Sequence, residues 1–225
     1  GISDEGSSVV KPFVERMGDK MEYAVAIDDN RKTNKAYMGA FGLSGVPTAF
    51  IVDKSGAVVF HGHPMDPQFE TILEKVVDGA FDFASYQAEL AKIERAKQQI
   101  LGYFQAIEGG LDAGQAQEAG KKLYESIADL PDALSYVAFL IAANSNLPHR
   151  DLDLAQRMAE QAALITKGES GFALHAQARV LFAQDRIDDA VKIQKRAIEH
   201  AHSDDERAEM EAQLKEFEEA LGPKS

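Results

Sequence analysis

Residues 39–60 read GAFGLSGVPTAFIVDKSGAVVF and hold the most specific pattern in the chain. Two apolar runs, Thr48–Val52 and Ala57–Phe60, are separated by the linker Asp53–Gly56. A short linker with Ser and Gly between two β-rich runs predicts a β-hairpin. Pro47 lies directly before the first run and has no N–H to donate to a sheet, so it must occupy an edge, a strand start or a special turn. We therefore expect a hairpin that is entered through a proline turn.

The rest of residues 1–80 alternates between helix-like and strand-like patterns. Apolar residues spaced by three and four predict helices over residues 9–18, 33–41 and 69–77. A short buried strand is predicted over residues 23–27, and Ile2 followed by polar residues is typical of the last residues of a strand. This order predicts an α/β domain over residues 1–80.

Residues 81–225 have a different character. They are rich in Ala, Leu, Gln, Glu and Lys, which favour helices, and their Gly and Pro breaks predict about seven helices. Three alanines recur 35 residues later in the chain: Ala143, Ala155 and Ala162 correspond to Ala178, Ala190 and Ala197. Small residues at these positions let paired helices approach closely. The pattern resembles loosely that of tetratricopeptide repeats, and a plain helical-hairpin bundle is the alternative. In both cases this domain is predicted to be a scaffold or a partner-binding surface.

Charge and composition exclude several classes of function. The 225 residues hold 24 Lys and Arg against 37 Asp and Glu, a net charge of −13, which disfavours nucleic acid and anionic lipid as partners. The longest apolar runs are only a few residues long, so we expect no membrane span in this chain. Cysteine is absent. Disulfides, thiolate metal sites and cysteine catalysis are therefore excluded within these residues.

The proline turn carries a resemblance to a known family. Gly45-Val46-Pro47-Thr48 ahead of Ala-Phe-Ile-Val-Asp resembles the cis-proline loop of the thioredoxin superfamily, and most closely that of the TlpA/ResA-type thiol–disulfide oxidoreductases, or redoxins. The other elements of residues 1–80 follow the order found in that family. The predicted architecture is therefore an α/β thioredoxin-like domain, incomplete at its N-terminus, over residues 1–80, and an all-α helical-hairpin repeat domain over residues 81–225.

The resemblance implies roles for four residues. In this family a Cys-x-x-Cys pair performs the chemistry, and the residue before the proline hydrogen-bonds the substrate chain through its backbone. By this resemblance Val46 and Pro47 would line the substrate groove, and Gly45 and Thr48 would shape it. The strand and helix that bear the cysteine pair are expected to precede Gly1, so no catalytic residue and no cofactor is predicted in this chain.

Two functional interpretations stay open. In one, the chain is the C-terminal part of a thiol–disulfide oxidoreductase, is inactive by itself, and has a helical extension that binds a partner. In the other, it is a non-catalytic, cysteine-free interaction module. Both predict a polypeptide substrate or redox partner at the proline loop and a protein partner on the helical domain. We also expect the open sheet to be completed by another chain, by domain exchange or by the helical part. The resemblance favours an extracytoplasmic, periplasmic location.

His61 and His63 lie two residues apart near the end of the second hairpin strand and could face the same way. No third ligand is marked in the sequence. We therefore predict a solvated or structural pair and no metal site.

Overall fold

The computed structural model describes residues 1–221, with Pro67 described by its backbone alone. The chain forms two compact units, Gly1–Phe83 and a second that begins at Ala84. Each unit has its own hydrophobic contacts.

The first unit runs in the order strand, helix, strand, helix, hairpin, helix. Its elements are β1 (Ile2–Ser3), α1 (Ser7–Met17), β2 (Ala26–Ile27), α2 (Lys32–Asn34, continued by a π-helical turn over Lys35–Gly39), β3 (Ala49–Val52), β4 (Val58–Gly62) and α3 (Pro67–Val77). This order agrees with the α/β pattern of the sequence.

The strands form two separate two-stranded sheets. β3 and β4 pair antiparallel with Ala49 opposite Gly62, which confirms the predicted hairpin. β1 and β2 pair parallel, with Ile2 opposite Ala26. The strand predicted over residues 23–27 is shorter than expected, because its partner β1 is only two residues long and the ladder ends with it.

The helix predicted over residues 33–41 is also different in detail. It starts as the short α2 and widens into the π-helical turn, and the N–H of Leu43 reaches back to the carbonyl of Met38 at 2.8 Å. The carboxylate of Asp28 begins this segment by accepting the backbone N–H groups of Thr33 and Asn34 at 2.9 and 2.8 Å. The segment therefore ends in a compact turn that leads directly to the proline loop.

The core of the first unit lies between the hairpin and α3. Ile51 and Phe60 on the hairpin and Ile72 and Val76 on α3 are all buried. The rings of Phe60 and Phe69 meet edge to face at 5.6 Å. Burying these side chains holds the hairpin on the helix and so fixes the strand that follows the proline loop.

Seven helices follow within the described residues, which confirms the number predicted from the breaks. They are α4 (Phe83–Glu108), α5 (Ala113–Ile127), α6 (Pro131–Ala143), α7 (Leu152–Ile165), α8 (Gly171–Ala183), α9 (Ile187–Glu199) and α10 (Asp204–Leu221). Their starts carry capping side chains: Asp112 with Gln115 forms a capping box at α5, and Asp151 and Ser170 cap α7 and α8.

The second unit is built from successive helices packed side by side. α6 packs against α7 and α8, α8 against α9, and α9 against α10. Five of the six recurring alanines are fully buried in these contacts, namely Ala155, Ala162, Ala178, Ala190 and Ala197, and Ala143 is half-buried. Small side chains therefore permit the close helix contacts, as the sequence predicted. Within residues 1–221, no helix combines the length and the apolar content needed to cross a membrane.

Candidate functional site

The proline loop connects the π-helical turn to β3 and lies at the start of the hairpin. Gly42 has a φ of 65°, a left-handed conformation that glycine adopts without a Cβ clash, and it turns the chain towards the loop. The structure places Gly45, Val46, Pro47 and Thr48 together in one turn immediately before β3. The hydroxyl of Thr48 donates to the carbonyl of Gly45 at 2.6 Å and closes this turn.

Val46 is the most exposed large apolar side chain of the molecule described, at 88% of its full accessible surface. Its peptide bond to Pro47 is cis. Within residues 1–221, no hydrogen bond reaches the backbone N–H or C=O of Val46. The loop therefore presents to solvent both an apolar side chain and a backbone donor and acceptor.

The strand that follows the loop is open along one edge. β3 is hydrogen-bonded to β4 on one side, and in the part of the chain that the structure describes no strand pairs with its other edge. An open edge next to an unpaired loop backbone is suited to accept an extended polypeptide.

An aromatic cluster covers the hairpin face that α3 does not occupy. The ring of Phe50 lies 5.1 Å from that of Tyr37 and 5.8 Å from that of Phe41, and Phe41 lies 4.6 Å from His61. Sequence reasoning did not assign these residues to the site. The sequence did hold a signal for this cluster. The hairpin register sets Phe50 opposite His61. Tyr37 and Phe41 are four residues apart, which is one turn of a helix.

The two candidate metal-binding histidines have separate structural roles. His61 packs its ring on Phe41, and Nδ1 of His63 accepts the backbone N–H of Met65 at 3.1 Å. Among the described residues no group of three or more His, Asp or Glu side chains is arranged to hold a metal ion. The two rings therefore serve the hairpin and the connection to α3.

The carboxylates of this unit also serve the backbone. Asp53 accepts the hydroxyl and N–H of Ser55 and the N–H of Ala57, and these bonds, with the Ser55 hydroxyl first, lower its pKa. For Asp28, burial opposes ionisation, but the N–H groups of Asn34 and Thr33 outweigh it and lower the pKa. Both are held as anions by turn and helix N–H groups, so neither is suited to act as a general base near neutral pH.

The chain is similar to two bacterial proteins named thiol-disulfide oxidoreductase ResA, from Bacillus thuringiensis (strain Al Hakam) and Bacillus anthracis. Each is 36% identical over 76 residues, which cover 33% of this chain and 40% of the relative. The chain thus spans well under half of the length of the proteins it matches. No protein-family model matches it, and no solved structure does. The similarity to a thiol–disulfide oxidoreductase is partial, and it accompanies a complete absence of cysteine from these residues.

Proposed function

We propose that residues 1–80 are the C-terminal part of the thioredoxin-like domain of a thiol–disulfide oxidoreductase and supply its polypeptide-binding loop. The observation that carries this proposal is the 36% identity to ResA over 76 residues. The alternating helices and strands of the first unit support it.

Gly45, Val46, Pro47 and Thr48 form the binding loop in this proposal. The exposed side chain of Val46 contacts an apolar residue of the bound polypeptide, and its unpaired backbone groups hydrogen-bond the extended chain. Thr48 holds the turn through its bond to Gly45. Recognition through main-chain hydrogen bonds suits an oxidoreductase that acts on many polypeptides, because every polypeptide offers these groups.

The cysteine pair of the enzyme lies outside these 225 residues, since they contain no cysteine. In the reaction a cysteine thiolate attacks one sulfur of the substrate disulfide, the substrate S–S bond breaks, and a mixed disulfide forms. The second cysteine then attacks the mixed disulfide and releases the reduced substrate, and the enzyme pair is left oxidised. The loop described here holds the polypeptide during both steps.

The first unit is completed by a further strand. β1 and β3 each have an edge without a hydrogen-bonded strand among the described residues. Several apolar side chains nearby in sequence are exposed: Ile2 at 61%, Phe13 at 42% and Tyr23 at 59%. A strand and helix from the same protein, or from a second chain, would pair with these edges and bury these side chains.

The helical unit serves as a partner-binding extension in this proposal. Its buried alanine seam and stacked helices support a tetratricopeptide-like arrangement. The similarity to ResA also supports an extracytoplasmic location for the protein.

Reduction of insulin disulfides by the protein encoded by the complete gene tests the proposed role of the loop. The Val46→Glu variant should reduce insulin with a kcat/KM about tenfold lower than that of the unmodified protein. A buried aliphatic contact contributes about 1.5 kcal/mol, and a tenfold change in kcat/KM corresponds to about 1.4 kcal/mol. The matched control is Val77→Glu, since Val77 is 64% exposed and lies near Lys54 at the hairpin's opposite end. Equal rates for the two variants would contradict the assignment of the loop.

A second interpretation is a non-catalytic interaction module, which the absence of cysteine favours. In that case the complete protein would bind unfolded polypeptide through the same loop and would not reduce insulin. The two interpretations are therefore separated by the activity of the complete protein.

A further inference from the structure

An apolar groove of about 940 Å³ lies between α4 and α6 of the helical unit. The neighbouring position along the stack, between α6 and α8, is filled by direct helix packing. Leu101 and Tyr136 line the groove and are 52% and 48% exposed, so the groove faces solvent. An apolar surface that remains open beside closely packed helices marks a place for a binding partner.

One wall of the groove is a single face of α4. Ile93, Ile100, Leu101 and Phe104 line it at spacings of seven, one and three residues, which place them on one side of a helix. Ile100 is buried and Phe104 is half-buried against the core, whereas Leu101 projects to the surface.

The opposite wall is a face of α6. Ala133, Tyr136 and Leu140 line it at spacings of three and four residues. Two helical stripes that face each other across a gap are suited to receive a third helix with its own apolar stripe. The stretch of α6 from Asp132 to Ala143 is about 17 Å long, which corresponds to about three turns of a bound helix.

The charges around the groove define the partner further. Among the described residues that line the groove, four are acidic, namely Glu89, Glu108, Asp129 and Asp132, and Lys97 is the one cation. Asp129 is already paired with Lys92, which lies outside the lining. The net charge of this lining is thus negative, as is that of the whole chain at −13. A second copy of the chain is disfavoured by this charge, whereas a helix with basic flanks is attracted.

We propose that the groove between α4 and α6 binds an amphipathic helix with an apolar stripe and Lys or Arg flanks, from a partner protein. This inference deepens the proposal that the helical unit binds a partner. It involves no thiol chemistry, so its test is independent of the oxidoreductase activity.

The probe is a fluorescein-labelled 18-residue peptide with leucines at i, i+3, i+4 and i+7 along one face and lysines on both flanks. A second probe carries glutamates in place of the lysines. Fluorescence anisotropy with the 225-residue chain should show at least about tenfold tighter binding of the lysine probe at low salt, and this preference should shrink as salt screens the charges.

Matched variants locate the binding. Leu101→Glu should lower the affinity for the lysine probe by about tenfold or more, because it places a carboxylate in the apolar wall of the groove. Leu164→Glu, which alters a residue that is 73% exposed on α7 and outside the groove, should leave binding within about twofold. Circular dichroism checks that both variants remain folded.

A pair of carboxylate variants tests the charge argument. The double variant Glu89→Gln and Glu108→Gln should bind the lysine probe several-fold more weakly than the unmodified chain does. Its affinity for the glutamate probe should not fall. Glu125→Gln with Glu211→Gln removes the same charge from exposed positions outside the groove lining and should have a smaller effect.

Several results would overturn the proposal. They are no binding of the lysine probe, equal weakening by Leu101→Glu and Leu164→Glu, or equal affinity for the two probes at low salt. A dimer in sedimentation velocity that Leu101→Glu dissociates would assign the groove to a second copy instead. Hydrogen exchange in the presence of the probe should protect α4 and α6, and protection confined to other helices would also contradict it.

Discussion

Replacing Gly171 with alanine should destabilise the helical unit, although alanine favours helices over glycine. Gly171 is the first residue of α8 and lies against the end of α9. A Cβ at this position would lie 2.6 Å from the carbonyl oxygen of His200, 2.9 Å from its carbonyl carbon and 3.1 Å from the carbonyl oxygen of Ala197. All three are backbone atoms, so a side-chain rotation cannot relieve the clash.

The size of the effect follows from this geometry. The backbone at His200 must withdraw by about 0.8 Å to reach the 3.4 Å at which ordinary van der Waals contact begins. Overpacking of this kind costs about 1–3 kcal/mol. The gain in helix propensity is at most about 1 kcal/mol and is smaller in the first turn of a helix. We expect a net loss of about 1–2 kcal/mol, or a fall in Tm of about 3–8 °C.

Gly102→Ala is the matched control. Gly102 lies within α4, and a Cβ there would meet no atom within 4 Å. This change should stabilise the unit by about 0.5–1 kcal/mol through helix propensity alone. Urea unfolding followed by circular dichroism at 222 nm measures both. If Gly171→Ala proves as stable as the unmodified chain, the close contact of α8 with the end of α9 is wrong.

Three further predictions concern single side chains. His175 is buried, hydrogen-bonds Gln194 and stacks on Phe139. Burial lowers its pKa below 6.5, and the charged groups that act on it are Glu209, Glu206 and Arg179. As the pH falls, the unfolded chain therefore takes up a proton on this histidine before the folded chain does. The urea midpoint of unfolding should be constant above about pH 7.5 and should fall as the pH drops below 6.5. His175→Gln should remove most of this pH dependence of the midpoint. Asp53→Ala should lower the Tm of the first unit at neutral pH, because it removes the acceptor of three hydrogen bonds in the hairpin turn. The difference in Tm from the unmodified chain should shrink as acid protonates Asp53 below pH 3.8. A difference in Tm that stays constant with pH would contradict the role of the carboxylate. Val46→Glu should leave the Tm within about 1 °C, because the side chain is 88% exposed, and a large fall in calorimetry would show that Val46 is packed instead.

The local parts of the fold could be predicted from the sequence. The hairpin over β3 and β4 follows from two apolar runs and a short linker, and α1 and α3 follow from apolar spacing within about ten residues. The length of β2 could not be predicted, because it depends on a partner strand elsewhere in the chain. The π-helical turn and the turn after it, where the N–H of Leu43 reaches the carbonyl of Met38, rest on backbone hydrogen bonds that leave no mark in the apolar pattern.

The candidate site was only partly predictable for the same reason. The role of Gly45–Thr48 stays a prediction from the sequence, whereas the aromatic cluster of Phe41, Phe50 and His61 requires the hairpin register and the turn before it together. The groove between α4 and α6 could not be predicted at all. Apolar spacing tells which face of each helix is apolar, and it does not tell how far apart two such faces lie.

The proposed oxidoreductase activity is tested most directly by comparing insulin-disulfide reduction by the protein encoded by the complete gene with that by the 225-residue chain. Both are used at equal concentrations with dithiothreitol as reductant. We expect the complete protein to accelerate reduction and the 225-residue chain to give the rate of dithiothreitol alone, because this chain has no thiol. A complete protein that also gives only the rate of dithiothreitol would contradict the assignment to a thiol–disulfide oxidoreductase.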